Sequence, residues 1–142
     1  DYGLRALIYL AEVREQGPVT LHDIASKLGI PKAFLSKILQ QLGRTGIVRS
    51  LKGPSGGFTL SRDPASLTVR EIVEEIDGPL KVFECFSSGA ADCSHHGNCK
   101  ILAVFDTVTS EIGRVLGKVT LAEFVDEPRK AAATTCPTPA RR

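Results

Sequence analysis

A mainly α fold with a single small β-hairpin is what this 142-residue sequence predicts, on three observations. Apolar residues recur three and four apart in five separate stretches, the spacing of helices that bury one face. That period gives way to strand-like runs only on either side of KGPSGG, a stretch whose glycines and proline favour a turn. Gly17-Pro18, Gly29 and Gly78-Pro79 punctuate the helices and keep most of them short.

In the first stretch Leu4, Leu7, Ile8 and Ala11 form the expected inner stripe, with Arg5, Glu12 and Glu15 off it. Thr20 is the expected cap of a second helix, with Asp23 in the capping-box position and Ile24, Ala25 and Leu28 turned inward. Gly29 supplies a tight turn and Pro31 the first position of a third helix, whose inner face is Leu35, Ile38, Leu39 and Leu42. Helix, short glycine turn, helix is the helix-turn-helix arrangement. The outer face of the third helix carries Lys32, Ser36, Lys37, Gln40 and Gln41, donors of the kind that reach base edges and phosphates. Ile47 to Leu51 and Phe58 to Leu60 read as paired strands, with Arg49 on the first and Lys52 and Ser55 at the tip. Beside a recognition helix, such a glycine-rich tip is the expected form of a wing, because its backbone can approach a surface closely.

Thr68 and Glu71 form a second capping box, opening a helix to Asp77 with Val69, Ile72, Val73 and Ile76 inward. Further on, Ile101, Val104, Phe105, Val108, Ile112, Val115 and Leu116 stripe a long helix with more apolar surface than one side of a small winged helix covers. A second copy of the same helix is its expected partner. Thr120 to Val125 add a capped turn, and the Pro-, Thr- and Ala-rich tail is expected to be disordered. The expected organisation is a winged helix-turn-helix unit at 1–80, a cysteine loop at 81–100, a dimerisation helix with its capping turn at 101–127, and a tail at 128–142.

Composition sets bounds. The hydrophobic fraction of 42% and charged fraction of 24% provide a packed core and argue against a disordered or fibrous chain. No apolar run approaches the roughly 20 residues of a membrane-spanning helix. The sequence opens at Asp1 without Met and without a basic-then-apolar leader, which leaves open what precedes it. A cytoplasmic location is expected. The net charge of +2 conceals a lopsided distribution: from Lys27 to Arg70 eight basic residues face one acid, while from Glu71 onward eight face eleven. A basic segment inside a small domain is the electrostatic footprint of a polyanion-binding surface. No histidine or carboxylate pair sits in a recognisable catalytic motif and the cysteines are bunched, so no enzymatic activity is expected.

Cys85, Cys93 and Cys99 fall within fifteen residues, separated by seven and five. The segment from Phe83 to Lys100 has no sustained period, so something other than a core organises it. Zinc usually takes close pairs with two to four residues between ligands, which this spacing lacks, although His95 or His96 could complete a set of four. Iron-sulfur clusters accept more varied spacings, and Gly89 and Gly97 let backbone N–H groups approach cluster sulfurs. A thiol switch or plainly structural cysteines also fit the spacing. Cys136, beside Pro137 in the tail, reads as incidental.

The order of DYGLRALIYLA, a helix-turn-helix, KGPSGGF, a capped helix, three cysteines and a long helix resembles the Rrf2 family of bacterial winged-helix regulators, a likeness that runs from Asp1 to about Val125. The resemblance implies a homodimer joined through the long helix. It also implies a two-iron or four-iron cluster (2Fe-2S or 4Fe-4S) on Cys85, Cys93 and Cys99, whose state governs binding to double-stranded promoter DNA. Most members begin a few residues earlier, which implies an N-terminally trimmed sequence here. The family's cluster regulator has a histidine three positions beyond the last cysteine, where this sequence has Leu102, so that ligand is absent. Its nitric-oxide sensor shares the DYGLRALIY run and completes its cluster with an aspartate of the partner subunit, which makes Asp1 a candidate. The long first cysteine gap is closer to the rhizobial iron regulator.

Overall fold

Five α-helices and one two-stranded hairpin make up the computed structural model, which describes residues 2–82 and 99–125. In chain order these are α1 (Tyr2–Glu12), α2 (Leu21–Leu28), α3 (Lys32–Arg44), β1 (Val48–Leu51), β2 (Gly57–Leu60), α4 (Val69–Asp77) and α5 (Lys100–Leu116), with short 3-10 turns at Arg14–Gln16, Pro64–Ser66 and Leu121–Phe124. The mainly α expectation holds. Asp1, Cys85, Cys93, His95 and His96, named above as candidate ligands, and the tail with Cys136 lie outside the described residues.

The core forms where the apolar faces of α1, α2, α3 and α4 meet the root of the hairpin, and Leu7, Leu10, Ile24, Leu35, Leu39, Leu42, Ile47, Leu67, Ile72 and Leu121 are sealed inside it. The inner face expected for α3 is buried in full. On α1 the buried row is Gly3, Ala6, Leu7, Leu10 and Ala11, one position round from the expected stripe, and Leu4 and Ile8 are only partly buried. The helix is apolar on both flanks, so periodicity alone left two rows possible. The small residues decide between them: a Cβ on Gly3 would run into the Ile76 side chain, so this is the row against which α4 can close.

Local capping follows the sequence with two corrections. The Thr20 hydroxyl accepts from the Asp23 N–H at 3.2 Å, and Gly29 at φ +66° ends α2 in the left-handed conformation that makes the tight turn into α3. Pro31 is the residue before the helix, not its first, because its extended ψ of 128° is not helical. Thr68 caps α4 through the Glu71 N–H at 3.2 Å, but the Glu71 carboxylate does not complete a capping box; it is taken by the guanidinium of Arg62.

The hairpin is antiparallel, pairing Val48 with Leu60, Arg49 with Thr59, Ser50 with Phe58 and Leu51 with Gly57. Val19, just before α2, adds a third rung by exchanging two backbone bonds of 2.9 and 2.8 Å with Phe58. Gly57 makes this possible, since a Cβ there would meet the Val19 carbonyl oxygen. After α5 the chain returns to the core: Leu121 N–H donates to Leu67 at 2.8 Å and Val69 N–H to Val119 at 2.9 Å. The expected capped turn is present, with the Thr120 N–H donating to the Glu123 carboxylate at 2.8 Å.

The stripe on α5 divides into two rows. Phe105 and Leu116 fall with Leu102, Thr109 and Gly113 on a partly buried row, and Gly113 lies against the guanidinium of Arg70 on α4. Ile101, Val104, Val108, Ile112 and Val115 form the adjacent row and face solvent, Val104 at 61% and Ile101 at 60% exposure. Among the described residues no helix is long and apolar enough to cross a membrane.

Candidate nucleic-acid interface

Burying Leu35, Ile38, Leu39 and Leu42 fixes the rotation of α3 and turns the opposite side out. At 3.6 residues per turn, the side chains farthest from that buried row are Ala33, Lys37, Gln40 and Arg44, all exposed. Lys32 and Ser36 flank them on one side, and the Gln40 amide donates to the Ser36 hydroxyl at 3.2 Å. Phe34 and Gln41 flank them on the other.

Gln41 is not available as a surface donor. Its amide is spent on the carbonyl oxygens of Glu75 and Ile76, at 2.6 and 3.0 Å, tying α3 to the last turn of α4. A helix periodicity places Gln41 on an outer face but carries no information about which neighbouring helix ends beside it.

The hairpin stands beside the C-terminal half of α3. Between them opens a cleft of about 720 Å³ whose walls include Gln40 and Arg44 from the helix and Arg49 from β1. Lys37 borders a smaller cleft of about 290 Å³ with Tyr2, Phe34 and Asp77. There the rings of Tyr2 and Phe34 meet edge to face at 5.6 Å. The structure therefore brings Gln40 and Arg49 to one cleft, while Lys37, on the same outward side of α3, borders the other. Lys52 and Ser55 are exposed at the hairpin tip, where the Gly56 N–H closes a tight turn onto the Gly53 carbonyl at 2.9 Å.

The basic segment is smaller than the count suggested. Arg62 pairs with Glu71 and Arg70 with Glu74, the latter at 3.0 Å, so two of the eight cations are neutralised by acids just beyond the stretch over which charge was summed. Lys27, Lys32, Lys37, Arg44, Arg49 and Lys52 have no ion pair among the described residues. Arg44 and Arg49 thus face one cleft with no acid of their own, and Arg44 was absent from the residues expected to meet DNA. The signal was present in its spacing, seven residues after Lys37 and four after Gln40, which puts it on the same outward line.

Of the three clustered cysteines the structure describes Cys99. It occupies the residue before α5, is half-buried, and has no disulfide partner among the described residues. Its carbonyl accepts from Ala103 at 3.3 Å, but its side chain makes no capping bond, so the thiol is not consumed by the helix it precedes.

The sequence profile of the Rrf2 family, described as an iron-dependent transcriptional regulator, matches residues 1–127. An rrf2-like HTH-type transcriptional regulator of Rhodobacter capsulatus is 36% identical over 138 residues, covering 92% of each chain. Among solved structures, IscR of T. potens superposes with a TM-score of 0.73 at 28% identity, covering 92% of this chain and 85% of that one. CymR, the global cysteine regulator of B. subtilis, superposes with a TM-score of 0.70 at 25% identity, covering 87% of this chain and 90% of that one.

Proposed function

Because the chain belongs to the Rrf2 family of transcriptional regulators, we propose that it is a cytoplasmic, homodimeric regulator whose grip on double-stranded promoter DNA is set by an iron-sulfur cluster on Cys85, Cys93 and Cys99. The observation that carries this reading is the uncovered outer face of α3 beside an open hairpin. With its apolar side locked in the core, α3 is free to enter a major groove, where Lys32, Ser36, Lys37 and Gln40 offer donors to base edges and phosphates. Arg49, Lys52 and Ser55 of the hairpin then reach the adjoining backbone or minor groove.

The exposed row Ile101, Val104, Val108, Ile112 and Val115 supports the second copy, since two such rows packed together remove each other from water. A two-fold dimer calls for a roughly palindromic operator.

The donor set fits a cluster. Three thiols within fifteen residues are the soft ligands that iron-sulfur centres use, and Cys99 stands at the head of α5 with its sulfur making no capping bond and no disulfide among the described residues. When bound, the cluster supplies a centre that responds to iron supply, nitric oxide or redox state. Ligation at Cys99 constrains the start of the helix that bears the exposed apolar row. Asp1, His95 and His96 are the candidates for a fourth ligand.

A second reading rests on the likeness to CymR, a global cysteine regulator: the same thiols would then act as a redox switch or hold zinc. Purification under anaerobic conditions separates the two. The cluster reading expects brown protein with iron and acid-labile sulfide in comparable amounts, whereas colourless protein with zinc or with three titratable thiols in the loop would replace it.

A further inference from the structure

The cleft between α3 and the hairpin is set apart by its lack of acids. Lys37 shares its cleft with Asp77, and Arg70 shares one with Glu74, but no carboxylate lines the cleft that holds Arg44 and Arg49. Its polar lining is otherwise the Gln40 amide and the hydroxyls of Ser50 and Ser61, each of which can donate a hydrogen bond. The carbonyl end of α3 offsets part of the Arg44 charge, as a cation in a last helical turn is favoured there. Nothing comparable serves Arg49, which stands on the hairpin wall exposed and without an ion pair among the described residues.

Two guanidinium groups around one open, acid-free cleft call for an anion, and the shape says which. The cleft is open rather than enclosed, and it continues the outward line Lys37, Gln40, Arg44 of α3. An extended polyanion lying along α3 therefore runs straight into it.

Resting on the DNA-binding reading, we infer that this cleft seats the sugar-phosphate backbone flanking the groove that α3 enters. Arg44 grips from the helix side and Arg49 from the hairpin side, one phosphate each. Guanidinium suits this role because its planar fork matches phosphate oxygens bidentately and it keeps its charge. Contacts of this kind carry no sequence information; they fix how deep and at what angle the reading face of α3 sits. The assignment separates the two ends of α3: its first turns read bases, and its last turn with β1 clamps the backbone.

The test uses the intact protein and a labelled random-sequence duplex, titrated by fluorescence anisotropy over a series of potassium chloride concentrations. Arg44→Ala and Arg49→Ala should each reduce the slope of log affinity against log salt by about one, and the double variant by about two. Arg44→Gln and Arg49→Gln, which keep much of the side-chain bulk, should behave the same way, and Lys118→Ala, in the turn that follows α5, should leave the slope unchanged. Circular dichroism confirms that each variant is folded. A double variant with the wild-type slope, alongside a reduced slope for Lys37→Ala with Lys52→Ala, would overturn the clamp while leaving DNA binding intact. A wild-type protein with no salt-dependent affinity for any duplex would remove the DNA-binding reading and the clamp together.

Discussion

The side chain of Gln41 donates to the backbone of Ile76 at 3.0 Å, and to that of Glu75 at 2.6 Å, so α3 and α4 are fastened where α4 ends. Carbonyls in a last helical turn lack intrahelical donors, and Gln41 supplies one from outside. Gln41→Ala should therefore destabilise the fold by about 0.5–1.5 kcal/mol, the usual net worth of such a bond. A urea titration checks this, with the midpoint falling at unchanged slope. Gln41→Glu should cost more, because a carboxylate would face the same carbonyl oxygens without a proton to offer. Intact stability in both variants would show that water replaces the amide without loss.

Gly57 sets how closely Val19 approaches the hairpin. A Cβ there meets the backbone of Val19, which cannot rotate aside as a side-chain end can. Gly57→Ala should cost about 1–3 kcal/mol, in the range of overpacked sites. The two Val19–Phe58 bonds should open first, seen as faster exchange of the Phe58 amide. An unchanged exchange rate would mean that the third rung survives the added methyl.

Val104 and Ile112 lie on the exposed row of α5. Val104→Glu with Ile112→Glu should convert the dimer to a monomer in sedimentation while leaving the far-ultraviolet spectrum unchanged, since neither side chain supports the core. A variant that still sediments as a dimer would move the interface elsewhere.

Single Cys85→Ala, Cys93→Ala and Cys99→Ala variants should lose the iron yet remain folded dimers, with Cys136→Ala retaining it. For Cys99 the structural reason is plain: its side chain makes no capping bond, so its loss should change stability by no more than about 0.5 kcal/mol. Full iron content in all three variants would refute the ligand set.

Much of this was legible in residues whose role is local. Thr20, Gly29 and Thr68 act on backbone within three or four positions, and the four inner leucine and isoleucine positions of α3 follow from one period, so the sequence sufficed for them. What escaped it depends on partners far along the chain. The row that α1 buries was settled by Gly3 meeting Ile76, the loss of Gln41 as a surface donor by the end of α4, and the pairing of Arg62 by a glutamate nine residues on. The α5 stripe was read as a single seam because period alone cannot separate a row packed against Arg70 from its neighbour in solvent. Arg44 lay on the outward line throughout, but its importance appears only when the hairpin brings Arg49 across the cleft.

If the state of the cysteine segment sets DNA affinity, a single titration reads it out. Duplexes selected by this protein from a random library are titrated with cluster-loaded and apo protein at a single salt concentration, with the dimer followed by sedimentation. The affinities should differ by about 5- to 150-fold, the usual span of allosteric coupling, between two forms that are both dimers. Equal affinities of the two forms for every selected duplex would contradict it and leave the three cysteines without a part in control.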